Sequence, residues 1–523
     1  MIKIEHILIT ILLSFSVVSS QANSKPDSLR SFNSFKLFRL QNQWLSTGNI
    51  SGMIYNKEDK ISEVIVGSEF LDGDFHLTRD ASQKHSYYLS TQSYRTIKDI
   101  HFYGNFSYQY SDAEGILWNG VFDPYRGNPY IIGDSVPGAN YHAETYSLIG
   151  GVSKKMNEKL SLGILVDYFV GVGAKQKDPR PENIVMNFSI NPSMILQYTN
   201  SKVGIDLGYR NRKEEIGYTQ IATDNPDPTF FTFKGFGFFN SEVDYGVSRF
   251  QTAKNYFGGI QYEKKIAGLQ SLTELRADYG LEITEDGSST IKKEDGGDWE
   301  TLLIELNQQL SDYTSNSIRK VTFNGSYFNG DGVEYSQEIV FDDDNHAQYI
   351  TIGKNLKFNR QIIFAQLKFD YLRLWSENQI NWESSAFVNF KMNNETYHYI
   401  PEIFTADYSN IEAGFNFEKN YYLNSVHFTP AVKMKYRYSL SNELLLSNDP
   451  TVTKKQNKEI FAHDFEYFSD DLINASASIK IGFDNQLIKN TGQLYLTIGY
   501  EYWQAIKAKD TKGLLTGRIG WVF

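Results

Sequence analysis

Leu160-Ser161-Leu162-Gly163-Ile164-Leu165-Val166-Asp167-Tyr168-Phe169-Val170-Gly171 carries an apolar residue at every second position. Leu160, Leu162, Ile164, Val166, Tyr168 and Val170 fall on one side of an extended chain, and the polar and small residues fall mainly on the other. A repeat of two residues belongs to a β-strand; a helix would repeat every 3.6. The pattern returns over Met186–Tyr198, Val203–Arg210, Ile473–Phe483 and Gln493–Tyr502. From about Ile61 to the end, stretches of some ten residues of this kind alternate with turns.

A soluble sandwich shares this repeat, so the connections decide between the two architectures. Short ones fall at 97–99, 155–158, 199–201, 265–268, 313–316, 373–376, 421–425 and 484–491. Long ones fall at 71–85, 112–142, 173–183, 214–248, 285–299, 329–356, 391–408 and 440–469. Short turns on one rim and long loops on the other are the arrangement of a transmembrane barrel. The reading is all-β: a transmembrane antiparallel β-barrel of about eighteen strands, with a range of about fourteen to eighteen or more because long loops can hide a hairpin (333–352 above all).

Composition agrees. The 523 residues include 35 Tyr, 36 Phe and no Cys, with a formal charge of −11, and the mean hydropathy is −0.42. Such a polar average excludes a bundle of apolar helices, and the acidic balance argues against a nucleic-acid partner. Met1–Ala22, with Lys3, the apolar run Ile7–Val18 and Ser20-x-Ala22, reads as a secretory signal cleaved near Ala22. The predicted layout is a signal at 1–22, a plug-like or periplasmic segment at 23–60 and the barrel at 61–523, integral in a Gram-negative outer membrane. Residues Ile519, Trp521 and Phe523 on the last strand resemble the C-terminal recognition strand of outer-membrane proteins. That likeness implies the barrel-assembly machinery as a partner; the barrel reading adds membrane lipid, and the docking alternative below adds a further outer-membrane protein.

If the apolar set faces lipid, the other set lines the lumen. It holds Asp167, Asp206, Arg210, Glu274, Arg276, Asp278 and Glu282, then Lys368, Asp370, Glu383, Lys391, Glu412 and Glu418. Lys433, Lys435, Arg437, Lys480, Glu501 and Arg518 complete it. Lys433, Lys435 and Arg437 with Lys480 form a basic wall beside Glu412 and Glu418. It reads either as a selectivity surface for anionic solutes or, preferred here, as a charge-compensated wall. The plug or loop candidates are Trp44 and Asn49 in the N-terminal segment, and Trp118, Asp123, Tyr125, Asn128, Tyr130 and Asp134 in the proline- and aromatic-rich 112–142 loop. The acidic runs 342–345 and 294–298 are solvated tips before they are calcium sites. Scattered histidines and the absence of nucleophile or metal motifs point to a non-enzyme without a cofactor.

Asn42-Gln43-Trp44-Leu45 with Gly48-Asn49, Asp123-Pro124-Tyr125…Asn128-Pro129-Tyr130…Asp134, and Asp178-Pro179-Arg180-Pro181 resemble an uncharacterised Bacteroidetes family of outer-membrane β-barrels. The resemblance covers nearly the whole mature chain and implies location and architecture, with no substrate. More loosely, Gly48–Met53 is similar to the N-terminal hatch of fatty-acid-transporter-type barrels. Ile50-Ser51 here replaces the Pro-Ala of that pattern, and the strand count exceeds that family's fourteen. Both departures weaken the hydrophobic solute it implies. The function expected is a channel or substrate-selective transporter; the alternative is a non-conducting barrel that docks a partner in an uptake or secretion complex.

Overall fold

A strand with one apolar and one polar face is stable only where each face meets a matching medium, and a closed sheet in a bilayer supplies both. The computed structural model describes residues 32–136, 140–219, 229–243, 248–287, 294–341, 347–376, 379–423, 426–446, 458–484 and 492–523. The signal reading at 1–22 and the acidic run 342–345 lie outside the described residues.

Eighteen strands form the wall. They are β1 Lys60–Gly73, β2 Gln83–Ile97, β3 Ile100–Glu114, β4 Tyr141–Lys155, β5 Leu160–Lys175 and β6 Arg180–Gln197. There follow β7 Ser201–Thr219, β8 Ser248–Ile266, β9 Leu269–Asp286, β10 Glu294–Tyr313, β11 Ser317–Phe341 and β12 Ala347–Ser376. The last six are β13 Gln379–Tyr399, β14 Glu402–Lys419, β15 Val426–Leu445, β16 Leu472–Asp484, β17 Gln493–Ala505 and β18 Thr511–Val522. Each pairs antiparallel with its neighbours in sequence, and β18 pairs with β1 (Glu63 opposite Val522, Gly73 opposite Lys512), so the sheet closes without an edge.

The apolar set points outward. Leu207 and Met434 are 66% and 63% exposed, and Ile260, Leu275, Leu367, Val388 and Ile519 are exposed with them. A belt of this extent facing water would drive aggregation; facing lipid, it is the surface that holds the barrel in the membrane. Ile479 belongs to the belt. Ile479→Arg is expected to cost about 2–4 kcal/mol if it sits at mid-membrane depth, seen as a loss of the compact, unheated gel band. Unchanged assembly would show that Ile479 does not meet lipid.

The loop lengths need a correction. The described residues of the stretches 173–183, 285–299, 329–356 and 391–408 are largely strand: β5 and β6 run to Lys175 and from Arg180, and β13 and β14 are separated only by Ile400 and Pro401. The 333–352 stretch adds no strand to the wall; it is the far end of β11 and β12, which pair out to Phe341 and Ala347. At 30 residues, β12 is on the order of 100 Å long, where about ten residues cross a bilayer. Beyond the membrane the outward residues no longer face lipid, the apolar alternation fades, and a strand becomes unreadable from its pattern. The 214–248 loop holds two strands of a separate three-stranded sheet, Thr229–Phe233 and Phe239–Val243, with Ile132–Asp134.

Candidate functional site

At the short-turn end the N-terminal segment crosses the barrel. Helix Ser34–Gln41 and the turns Gln43–Ser46 and Ile50–Tyr55 are built locally by their own polar residues. Asn42 Oδ1 accepts the Trp44 N–H at 3.1 Å and Asn49 Oδ1 accepts the Ser51 N–H at 3.1 Å, each side chain capping the turn that follows. The segment then bonds to the wall on all sides. Lys36 pairs with Glu383 of β13 and with Glu418 of β14, the latter at 3.4 Å. The Trp44 indole donates to Glu263 of β8. The Gly48 N–H donates to Glu274 of β9 (3.0 Å), and Asn49 Nδ2 to Gln261 of β8 (3.0 Å). Ser51 Oγ lies 2.9 Å from Ser193 Oγ of β6. Phe32 N–H donates to Gln493 of β17 at 2.8 Å. Only a segment inside a closed ring reaches β6, β8, β9, β13, β14 and β17 at once.

Two glycines make the fit. A Cβ on Gly52 would collide with the Trp44 side chain, and one on Gly204 of β7 would meet Gln261, Trp44 and Asn49. Gly52→Val is therefore expected to unseat the segment while leaving the wall's hydrogen bonds intact. A folded barrel with increased proteolysis of residues 32–59 is the expected result; unchanged protection there would refute the fit.

At the opposite rim, residues 74–82, 115–136, 229–243 and 458–471 pack into a lid. Its core holds Trp118, Val121, Ile132, Phe230 and Phe233 with Ile216 of β7. The sequence motif residues are its joints. Asp123 Oδ1 accepts the Tyr125 N–H (3.1 Å) and Asn128 Oδ1 the Tyr130 N–H (2.8 Å), each shaping a turn. The Tyr125 hydroxyl donates to Asp464 at 3.1 Å and accepts the Arg79 N–H at 2.8 Å. Burial, with the Asp464 charge beside it, pushes the Tyr125 phenol far above its ordinary range, so it stays a donor. Tyr130 is wholly buried. Asp134 meets Lys175 of β5 at 2.7 Å, both side chains 1% exposed. Burial raises the Asp134 carboxyl above its usual value, and Lys175 pulls it partly back. Arg126 grips Glu282 of β9 with two donors and Gln251 of β8 at 2.9 Å. On the far side, Phe238 stacks on Tyr397 of β13 (4.7 Å) and Phe404 of β14 (5.3 Å). The Asp178–Pro181 motif takes no such part: it is the β5–β6 hairpin tip and start of β6, with Arg180 paired to Asp178 at 2.8 Å.

Between floor and lid most of the remaining lumen candidates fall into pairs. Asp206 and Arg276, on strands either side of Gly259, meet at 3.0 Å, and Arg276 reaches Glu274 at 3.2 Å. Arg210 meets Asp278 at 3.2 Å, with Asp167 in the same cross-strand row through Ser189. Lys368 pairs with Asp370 (2.8 Å), Lys435 with Glu412 (3.5 Å), Lys433 with Glu501 (3.9 Å) and Arg518 with Glu69 (3.3 Å). Lys480 lies over the rings of Phe32 and Tyr495, each at 4.7 Å. Arg437 donates to backbone carbonyls of the lid. Of the last-strand residues, Ile519 faces outward, and Trp521 stacks on Phe523 at 4.4 Å.

Charge alone hides one feature. Asn307, Asn324, Gln366, Asn389 and Glu412 stand directly opposite one another on β10 to β14. Each amide donates to the next: Asn307 to Asn324, Asn324 to Gln366 (3.0 Å), Gln366 to Asn389 (2.8 Å) and Asn389 to Glu412 (3.2 Å). Inward amides at matched positions were legible strand by strand, but their alignment needed the register.

A protein-family model matches residues 50–522, that of a family of unknown function (DUF6850). No curated protein matches the chain. Among solved structures the chain is similar to BauA, the ferric preacinetobactin receptor from Acinetobacter baumannii (8% identity, TM-score 0.40, covering 89% of this chain and 80% of that one). It is also similar to the outer membrane transporter YddB from Escherichia coli (8%, TM-score 0.40, covering 90% of this chain and 81% of that one). The ferric yersiniabactin uptake receptor FyuA from Yersinia pestis gives 7% and a TM-score of 0.41, covering 90% of this chain and 81% of that one. Likenesses this distant say nothing of a solute.

Proposed function

We propose that this chain, which belongs to the DUF6850 family of unknown function, is a gated, solute-selective outer-membrane transporter. In this reading, residues 32–59 are the inner gate and the loop lid the outer one. The observation that carries it is the nature of the floor's attachment. Lys36, Trp44, Gly48, Asn49 and Ser51 are held to the wall by side-chain hydrogen bonds and ion pairs, which water can replace as the segment moves, and Phe35, Phe38, Leu37 and Trp44 by apolar side-chain packing, with no strand ladder among the described residues joining the segment to the wall. A barrel meant to stay permanently open needs no such segment, and one meant only as a scaffold needs no separable one. The paired lumen charges and the amide row would then form the polar path between the gates, and the last strand, with Ile519, Trp521 and Phe523, the assembly signal.

Planar-bilayer recording tests it. The native protein is expected to be nearly silent, and both Gly52→Val and a chain lacking residues 32–55 to conduct steadily. The docking alternative draws on the far end of the β11–β12 hairpin, which exposes Ile339, Phe341, Ile350 and Ile352. It requires folded but silent barrels in all three forms.

A further inference from the structure

Between the lid and strands β12 to β14 lies a cavity of about 150 Å³, room for on the order of ten water-sized atoms. Its apolar side is formed by Phe236, Phe461, Phe465 and Phe468 of the lid and Phe358 of the wall. Its other side is cationic. Arg360 of β12 lines it and meets Glu395 at 3.0 Å. Lys391, two residues before the lining Asn393 and so on the same face of β13, places its ammonium 5.7 Å and 5.3 Å from the ring centres of Tyr408 and Phe468. Both rings line the cavity. Among the described residues Lys391 makes no ion pair and no hydrogen bond.

Arg437 of β15 adds a third cation, whose guanidinium is met by the neutral carbonyls of Asp470 (2.9 Å) and Tyr467 (2.7 Å). The carboxylates near it are Glu412, held by Lys435 at 3.5 Å, and Asp470, which accepts the N–H groups of Lys507 and Ala508. Arg360 and Lys391 therefore share one carboxylate, Glu395. The other lining cations each meet a carboxylate: Arg79 meets Asp464 at 3.8 Å, and Lys234 meets Glu334 at 3.4 Å, which Lys357 also approaches at 3.7 Å. The buried Tyr408 hydroxyl finds no acceptor among the described residues. Uncompensated cations in a half-dry pocket repel one another until an anion joins them, and a buried hydroxyl proton without an acceptor asks for the same group.

We infer that this cavity binds a small organic anion: an apolar or aromatic body lies against the phenylalanines, and its acidic group is drawn to Lys391, Arg360 and the Tyr408 hydroxyl. This deepens the transporter reading and rests on it for the ligand's role as cargo, while the binding itself does not depend on it.

Calorimetry on the detergent-solubilised full chain tests the inference with 3-phenylpropionate, its uncharged amide and inorganic phosphate. The acid is expected to bind, and the amide and phosphate each to bind about tenfold more weakly or less. Lys391→Gln is expected to cost the acid about tenfold while leaving the amide unchanged, and Lys391→Arg to restore the acid. Equal affinity for acid and amide, an unchanged acid affinity in Lys391→Gln, or no binding of the acid overturns the anion site. Phosphate binding as tightly as the acid overturns the apolar half. If binding fails while Gly52→Val still opens the pore, only the solute class falls. If binding holds and the Gly52→Val barrel stays silent, the transporter reading falls and the site remains.

Discussion

Ser51→Cys/Ser193→Cys is expected to abolish pore opening when oxidised and to regain it on reduction. The two hydroxyls lie 2.9 Å apart, and the native chain has no cysteine to compete. Ser51 is fully buried on the floor segment and Ser193 nearly so on β6. In the native protein the contact between them is a set of hydrogen bonds, each worth only about 1 kcal/mol net. Moderate urea, which solvates such groups, should unseat the floor long before the closed wall yields. A disulfide removes that option without altering the barrel. Planar-bilayer conductance in urea is the measurement: the oxidised variant stays silent, and the reduced one opens as the native protein does. Equal opening in both redox states would mean that the floor does not move there, and the inner gate would have to be abandoned.

Arg126→Ala is expected to release the lid. Arg126 is the donor that neutralises Glu282, which is 4% exposed on β9. Removing it leaves a buried carboxylate without its cation, a loss of about 3–5 kcal/mol. The lid is a set of loops tied to the wall at Lys175–Asp134, Glu214–Phe122 and Arg126–Glu282, so the loss falls on the lid rather than on the ladder of the wall. Hydrogen exchange should rise across residues 115–136 while β7 to β9 remain protected. Arg126→Leu with Glu282→Leu should recover most of the protection, because no stranded charge remains. If Arg126→Ala leaves exchange in the lid unchanged, this joint does not hold it.

Much of the candidate site was readable in pieces. Asn42, Asn49, Asp123 and Asn128 stand out because each shapes the turn after it, and such chemistry acts over two residues. Asp206, Glu274 and Arg276 stand out because inward charge on a lipid-flanked strand is conspicuous. Their partners were not readable. Lys36 meets Glu383 across 347 positions, and Tyr125 meets Asp464 across 339. Lys391 is one inward lysine among several until Arg360, Arg437 and Tyr408 are placed around it.

The wall itself was determined by the sequence alone: about eighteen strands, their antiparallel order and the apolar side that points outward. Alternation is a property of adjacent residues, and antiparallel neighbours joined by short turns leave little choice of partner. Where the strands end was not determined, because beyond the bilayer nothing enforces the alternation. Only the tertiary structure decided that residues 32–59 turn into the ring and that four loops fold across the other rim. Inside a closed barrel every strand is within reach of such a segment. Its position is therefore settled by which polar groups across the lumen satisfy one another, a choice that no local pattern encodes.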